Sequence, residues 1–256
     1  MLYGEERKIH ILEYIQKNSR ASVQELSLHF EVSESTIRRD LKELEEAKLL
    51  RRTHGGAVSL QGVNFEPTFG EKEDKFRSEK EAIAKKAIEL IEEEDTILID
   101  SGTTTFHLAN ALKTFSRLTV VTNSIMIAKE LEDSRGIEVL LTGGILRRET
   151  LALVGPFAEQ SLSMVRVDKA FIATNGLDIH EGLTTPNLVE ASTKRKMIKS
   201  AKQVILLSDH SKMGKISFAK FAEANEIDKL VVDQAAPVSV IKQWEDLGVD
   251  VYVVCP

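Results

Sequence analysis

The sequence predicts two joined folds: a small α+β unit over residues 1–60 and a larger α/β unit with a mainly parallel sheet over residues 76–256. Three observations lead there. Apolar residues recur at helical spacing three times before residue 48 and are followed by a hairpin pattern. After residue 76, short runs of Val, Ile and Leu alternate with amphipathic stretches. Charge also divides the chain: residues 1–60 hold ten basic and ten acidic side chains, so the whole net charge of −6 lies beyond them. With 256 residues, 42% of them hydrophobic, the chain is too apolar for disorder and long enough to bury sizeable cores. Its only cysteine, Cys255, excludes an internal disulfide.

In the first unit, Ile9, Leu12 and Ile15, with Ile11, mark an amphipathic helix over Glu5–Asn18. Ser22-Val23-Gln24-Glu25 reads as a capping box, in which serine and glutamate satisfy each other's backbone N–H groups, and opens a short helix through Phe30. After Glu31-Val32-Ser33, Ser33 caps a third helix, Ser35–Ala47, whose buried stripe is Ile37, Leu41 and Leu44. Ser35, Arg39 and Lys42 fall opposite that stripe and Arg38 on its flank. Leu49–Thr53 and Ala57–Leu60 read as strands joined by a His54-Gly55-Gly56 turn. Two helices around a three-residue turn form a helix-turn-helix, and a hairpin bearing Arg51 and Arg52 makes a wing. Such a bundle can also be a protein–protein module, with Arg39 and Asp40 as a surface pair, although the turn spacing favours DNA.

The run Val32-Ser33-Glu34-Ser35-Thr36-Ile37-Arg38-Arg39-Asp40-Leu41, continuing to Leu50-Arg51-Arg52-Thr53-His54-Gly55-Gly56-Ala57, strongly resembles the DNA-binding domain of DeoR-type bacterial transcriptional regulators. The resemblance implies a winged helix-turn-helix that binds a double-stranded DNA operator. The expected contacts are Ser35, Thr36, Arg38, Arg39, Lys42, Arg51, Arg52 and His54. Lys42, Arg51 and Arg52 are expected on phosphate alone.

Residues 61–75 read as a linker: Gln61-Gly62-Val63-Asn64 is loop-like, Glu66-Pro67 interrupts helix, and Glu71–Lys75 is almost free of apolar side chains. In the second unit the strand candidates are Thr96–Ile99, Leu118–Val121, Glu138–Leu141, Lys169–Ile172, Gln203–Leu207, Lys229–Val232 and Val249–Val253. Helical patterns between them include Glu79–Glu93, Thr104–Leu112 and Leu188–Ala201. Strands apolar on both faces belong to parallel sheets covered on both sides, whose ligands bind at the strands' carboxyl ends.

Those ends carry the chemistry. Asp100-Ser101-Gly102-Thr103-Thr104-Thr105 joins a strand to a helix with a glycine, a run of hydroxyls and unpaired N–H groups, an anion cradle. Asn123, Gly143-Gly144 and Asn175 follow other strands, and Ser208-Asp209-His210-Ser211-Lys212 offers a cation. There is no G-x-x-x-x-G-K-[ST] phosphate loop and no G-x-G-x-x-G, so no nucleotide cofactor is expected. The six histidines are never closer than 19 residues, so no metal-binding histidine pair is expected either.

The strand-end segments also look like the effector domain of DeoR-type regulators, a domain similar in fold to ribose-5-phosphate isomerase. That likeness implies a phosphorylated sugar or polyol effector held by Asp100, Ser101, Gly102, Thr103, Thr104, Thr105, Asn123, Gly143, Gly144, Asn175 and Lys212. It further implies a homodimeric or homotetrameric repressor of a sugar or polyol catabolic operon, released from DNA by that effector. The alternative is a phosphosugar isomerase carrying a DNA-binding head. Aligned by eye, the isomerases' acidic segment falls on Ile172-Ala173-Thr174-Asn175 and their glutamate on Lys194, so the catalytic acids are missing. Glu190, nearby, reads as a relic, a ligand contact or a solvated helix residue. No apolar run approaches the ~18 residues of a membrane span, and the charged opening Glu5-Glu6-Arg7-Lys8 is no signal peptide. A cytoplasmic location is expected.

Overall fold

The computed structural model describes residues 4–18, 20–47, 49–53, 55–59 and 66–256. It divides into two compact units, Met1–Glu66 and Pro67–Pro256. His54 and the expected loop at 61–64 lie outside the described residues.

The first unit runs α1 (Gly4–Asn18), β1 (Arg20–Ser22), α2 (Val23–Phe30), α3 (Glu34–Glu46), β2 (Leu50–Thr53) and β3 (Gly56–Ser59). Both expected caps form: Ser22 and Glu25 close a capping box on α2, and Ser33 Oγ accepts from Thr36 N at the start of α3. Ile37, Leu41 and Leu44 meet Ile11, Ile15 and Leu26 in one small core. Between α2 and α3, Glu31 sits in the left-handed region at φ 53°, which gives the turn its sharp reversal. The wing gains a strand the sequence pattern does not announce. β1 pairs antiparallel with β3, so Gly56 belongs to a strand and not to the turn. A Cβ there would lie 2.0 Å from Ala21 O, and only glycine permits that approach.

The second unit opens with α4 (Phe69–Glu73) and α5 (Arg77–Ile88), and then alternates. β4 (Thr96–Ile99), α6 (Thr103–Ala111), β5 (Leu118–Thr122), α7 (Ile125–Glu130) and β6 (Ile137–Leu141) come first. An arm of β7 (Ile145–Arg147) and β8 (Ala152–Val154) follows, then α8 (Pro156–Ser163) and β9 (Val167–Ile172). The remainder is β10 (Gly176–Asp178), β11 (Gly182–Thr185), α9 (Leu188–Ser200), β12 (Ala201–Ser208), β13 (Ala219–Ala222), β14 (Lys229–Asp233), α10 (Val238–Asp246) and β15 (Asp250–Val254). The expected linker is therefore too long. Phe69 of α4 is buried in the second unit's core and packs edge-on against Phe106, which binds residues 69–73 to that unit.

All seven expected strands join one parallel sheet, ordered β15-β14-β12-β9-β4-β5-β6. Successive residues feed opposite cores. Ile97, Ile99, Phe171, Ile205 and Leu207 face one, with Ile83 and Ala87 of α5. Leu98, Ile172 and Leu206 face the other, with Met197 of α9 and Trp244 of α10. Burial on both faces is why the five inner strands carry apolar runs, whereas the edge strands β6 and β15 are partly exposed. Strand order reverses beside β4: the chain moves outward through β5 and β6, then returns to β4's other flank as β9. A switch point of this kind leaves a crevice at the strands' carboxyl ends.

Candidate functional site

In the first unit most of the expected DNA-contact residues that the structure describes are exposed. Ser35, Arg38, Arg39 and Lys42 of α3 are exposed, as is Arg52 on the wing, whereas Thr36 and Arg51 are partly covered. Arg38 pairs with Glu34 at 2.9 Å and Lys42 with Glu46 at 3.8 Å along the helix. Among the described residues Arg39 has no carboxylate within 4.0 Å, which leaves its guanidinium available. The hydroxyls of Ser35 and Thr36 each lie 2.8 Å from Ser33 Oγ, folded onto the cap at the helix start.

Asp40 is no surface partner of Arg39. It is 4% exposed and accepts from Arg7 Nε at 2.6 Å and Arg7 Nη2 at 3.2 Å, a two-pronged bridge between α1 and α3. The Asp40 carboxylate pushes the Arg7 guanidinium's pKa upward. Nothing in the local pattern announces this pair, because its members are 33 residues apart.

In the second unit the switch point holds the densest polar chemistry. Asp100, at the end of β4, is fully buried. Its Oδ2 accepts from Ala173 N at 3.0 Å, after β9, and from Lys194 Nζ of α9. Burial pushes the Asp100 carboxyl upward against the opposing pull of Lys194. Lys194 also lies 3.8 Å from Glu190, whose other oxygen is bound by Arg147 of the β7–β8 arm. Glu190 is thus 2% exposed and clasped between cations, which corrects the reading as a solvated helix residue. Among the described residues, Asp100 Oδ1 and Ser101 Oγ are buried without a hydrogen-bond partner.

The cradle closes tightly around them. A Cβ on Gly102 would lie 2.8 Å from Ala173 Cβ, so the β4–α6 loop touches the β9 loop only because residue 102 lacks a side chain. Thr103 and Thr104 are buried on the first turn of α6, where N–H groups have no partner within the helix. Thr105 is spent internally: its hydroxyl donates to Asp100 O at 2.6 Å and to Gly102 O at 3.0 Å. Asn123 is a tether as well, accepting from Ser101 N at 3.0 Å and donating to Leu153 O at 3.1 Å.

Gly143 and Gly144 follow β6, the edge strand two places from β4, and both have positive φ, 70° and 122°. Their identity answers to the backbone of that turn. Asn175 accepts from Thr185 Oγ1 at 3.2 Å. Lys212 lies in the short 3₁₀ turn after β12, two strands from β4 and so roughly 10 Å across. Burial lowers its pKa, and among the described residues it has no carboxylate partner. Next to it, His210 Nδ1 lies 2.9 Å from the buried Asp233. The structure therefore brings Asp100, Ser101, Gly102, Thr103, Thr104 and Lys212 to one end of the sheet. Lys194, Glu190 and Arg147 join that end in roles the sequence did not assign.

Comparison with known proteins then identifies the chain. Residues 7–63 match the family described as the DeoR-like helix-turn-helix domain, and residues 75–234 match the DeoR C terminal sensor domain. The chain belongs to the DeoR family. This DeoR-family transcriptional regulator is 43% identical over 246 residues to the HTH-type transcriptional regulator GlpR of Haloferax volcanii, covering 96% of each chain. It is 37% identical over 252 residues to the HTH-type transcriptional repressor GlcR of Bacillus subtilis, covering 98% of this chain and 97% of that one. Among solved structures, a ribose-5-phosphate isomerase in complex with phospho-erythronic acid is similar over 54% of each chain, with a TM-score of 0.40 and 18% identity. No helix among the described residues is long and apolar enough to cross a membrane.

Proposed function

We propose that this DeoR-family regulator is a cytoplasmic repressor of a sugar or polyol catabolic operon, released from its operator by a phosphorylated sugar or polyol. The observation that carries the effector half is the pair of buried, partnerless oxygens, Asp100 Oδ1 and Ser101 Oγ, at the switch point. Buried polar atoms cost free energy until something satisfies them, and ligand hydroxyls would do so. Beside them the N–H groups opening α6 and the Lys212 ammonium suit a phosphate. The repressor half is supported by relatives such as GlcR and the putative aga operon repressor of Escherichia coli, 33% identical over 251 residues.

On this reading Arg38, Arg39 and Ser35 contact bases or phosphate, with Thr36 beside them. Lys42, Arg51 and Arg52 hold phosphate, His54 lies among the DNA contacts, and a homodimer or homotetramer presents paired heads to repeated half-sites. Effector binding and DNA binding oppose each other through a coupling of ~1–3 kcal/mol, a roughly 5–150-fold loss of operator affinity. Turnover is not part of this reading, because Glu190, the acid nearest an isomerase base, is held between Arg147 and Lys194. The test is a thermal-shift screen against hexose, pentose, triose and polyol phosphates, followed by operator binding with each hit. A panel without a single stabilising member would end the proposal, and turnover of a hit would turn it towards the enzyme.

A further inference from the structure

Helices α5 and α6 pack side by side on one face of the sheet. A groove of about 540 Å³ runs between them. Arg77, Glu81, Lys85 and Ile88, three or four residues apart along α5, form one wall. His107 and Asn110 of α6 face them, with Phe106 beside them. The groove shares no lining residue with the cradle at Asp100–Thr104 or with Lys212.

His107 is the odd member of that lining. It is 8% exposed, and its Nε2 is buried without a hydrogen-bond partner among the described residues. The charged groups that act on the ring are Glu81, Lys80, Arg77 and Glu73, and three of these four line the groove, so the imidazole faces it. Burial holds the ring below the usual imidazole range, which leaves it uncharged near neutral pH. A buried polar atom left unmet is destabilising, and a ligand that meets it gains affinity. The charges along the walls say what that ligand is not. They are two acids and two bases, and Arg77 and Glu81 already pair at 2.9 Å. Glu73 and Lys85 stand towards opposite ends, since Arg77 to Lys85 alone spans about 12 Å of helix. A multivalent anion therefore meets no net charge, and a small zwitterion cannot reach both ends. Between the ends lie Ala84, Ile88 and Phe106, which are apolar.

We propose that this groove binds a second small molecule, an uncharged ring compound whose hydroxyl or N–H group donates to His107 Nε2. With its proton on Nδ1, the neutral imidazole offers Nε2 as the acceptor. A flat ring covers the apolar strip of Ala84, Ile88 and Phe106 while losing few rotamers. The volume falls within the ~300–1,000 Å³ usual for small-molecule sites. Arg77, Glu81 and Lys85 are exposed, and an exposed ion pair parts at little cost, so the ring can be reached. Thr103 of the effector cradle lies one turn before His107 on α6, so an occupant bears on the helix that opens the cradle. Nothing in this inference depends on the effector being phosphorylated.

The experiment titrates the full chain with phenol, and with benzene as the same ring without a hydroxyl. Binding is read by saturation-transfer NMR on the probe and by the ring nitrogen resonances of His107. Phenol should bind and move the Nε2 resonance, and benzene should bind about tenfold more weakly for want of the hydrogen bond. His107→Phe keeps a ring and removes the nitrogen, so phenol should fall to the level of benzene. If that variant does not fold, Ala111→Phe carries the test: it fills the groove from a half-buried position and should abolish binding of both probes. A parent that binds phenol no better than benzene, or a His107→Phe protein that still prefers phenol, would overturn the role of His107. Absence of phenol binding in the parent, or its survival in Ala111→Phe, would overturn the site itself. Phenol displaced by inorganic phosphate, with the His107 resonances unmoved, would put the probe in the effector cradle and overturn a separate site. A sugar-phosphate screen without a hit would leave every one of these outcomes readable.

Discussion

The DNA-binding unit closes its Arg7–Asp40 pair, whereas the sensor unit keeps open groups beside closed pairs such as Arg147–Glu190. In the DNA-binding unit Arg7 and Asp40 form a closed pair: the carboxylate takes both prongs of the guanidinium, and the pKa of Arg7 rises. In the sensor unit Asp100 keeps one buried oxygen unpartnered, and among the described residues the buried Lys80 and the half-buried Lys212 have no carboxylate within ion-pair range. Their pKa values move the other way: burial lowers both lysines and raises the aspartate. A closed pair fixes geometry, here that of α3 against α1. Open groups are destabilising by themselves and persist where a ligand completes them.

The largest effect should come from opening the closed pair. Arg7→Met leaves the Asp40 carboxylate buried without its cation, at a cost of about 3–5 kcal/mol. Trp244, the chain's only tryptophan, is buried in the sensor core, so its fluorescence follows that unit alone, whereas far-UV circular dichroism follows both. We expect an early dichroism transition, an unchanged tryptophan transition and lost operator binding. Adding Asp40→Leu should restore much of the stability, since an apolar pair avoids the stranded charge. An Arg7→Met protein that melts and binds like the parent would show that the bridge does not hold α3.

Lys212→Ala tests an open group. Losing a charged hydrogen bond of ~1.5–3 kcal/mol should weaken the effector ten- to a hundredfold. Operator affinity without effector should hardly change, so the variant would stay on DNA at ligand levels that release the parent. Thr103→Val should act in the same direction, and the pair should be less than additive if both serve one phosphate. Operator affinity titrated with the effector found by screening decides this. Release at the parent's ligand concentration would remove Lys212 from the phosphate site.

On the DNA side, Arg39→Ala should cost ~1–3 kcal/mol of operator affinity and relax discrimination at one base. Arg52→Ala should weaken all sequences alike and flatten the salt slope by about one unit, as for a lost phosphate contact. Binding at two salt concentrations separates them, and identical behaviour of both variants would refute the division between base and phosphate contacts.

The same contrast marks what could be read in the chain. The seven parallel strands were legible because each carries a run of Val, Ile or Leu, and in the five inner strands that run is buried on both faces. β1, β10 and β11 were not: Arg20–Ser22, Gly176–Asp178 and Gly182–Thr185 are short, polar or glycine-containing, and pairing alone makes them strands. The cradle at 100–104 was legible because a strand, a glycine and a helix start are adjacent in sequence. Lys194 and Asp100 are 94 residues apart, and Lys80 stood in the sequence only as part of the helical pattern Glu79–Glu93. Their burial is decided by tertiary packing. Conversely, Gly143, Gly144 and Asn123 carry residue types that suit a ligand and are explained by the backbone they serve.

A further expected effect is the dependence of stability on pH. Lys80 titrates at about 8 in the folded chain against an ordinary 10.5. Between those values the unfolded chain holds a proton that the folded chain has released, so stability rises with pH across the window. Below pH 8 both states carry the charge, and the cost of burying it is fully felt. Lys212, lowered in the same direction, adds a slope of the same sign, whereas Arg7, raised by Asp40, stays charged throughout. Urea unfolding followed by Trp244 between pH 7.5 and 10 should show the parent gaining on Lys80→Met as pH rises, with most of the gain above pH 8. A difference independent of pH would mean that the Lys80 ammonium is solvated, and the sensor unit would then differ less from the closed DNA-binding unit.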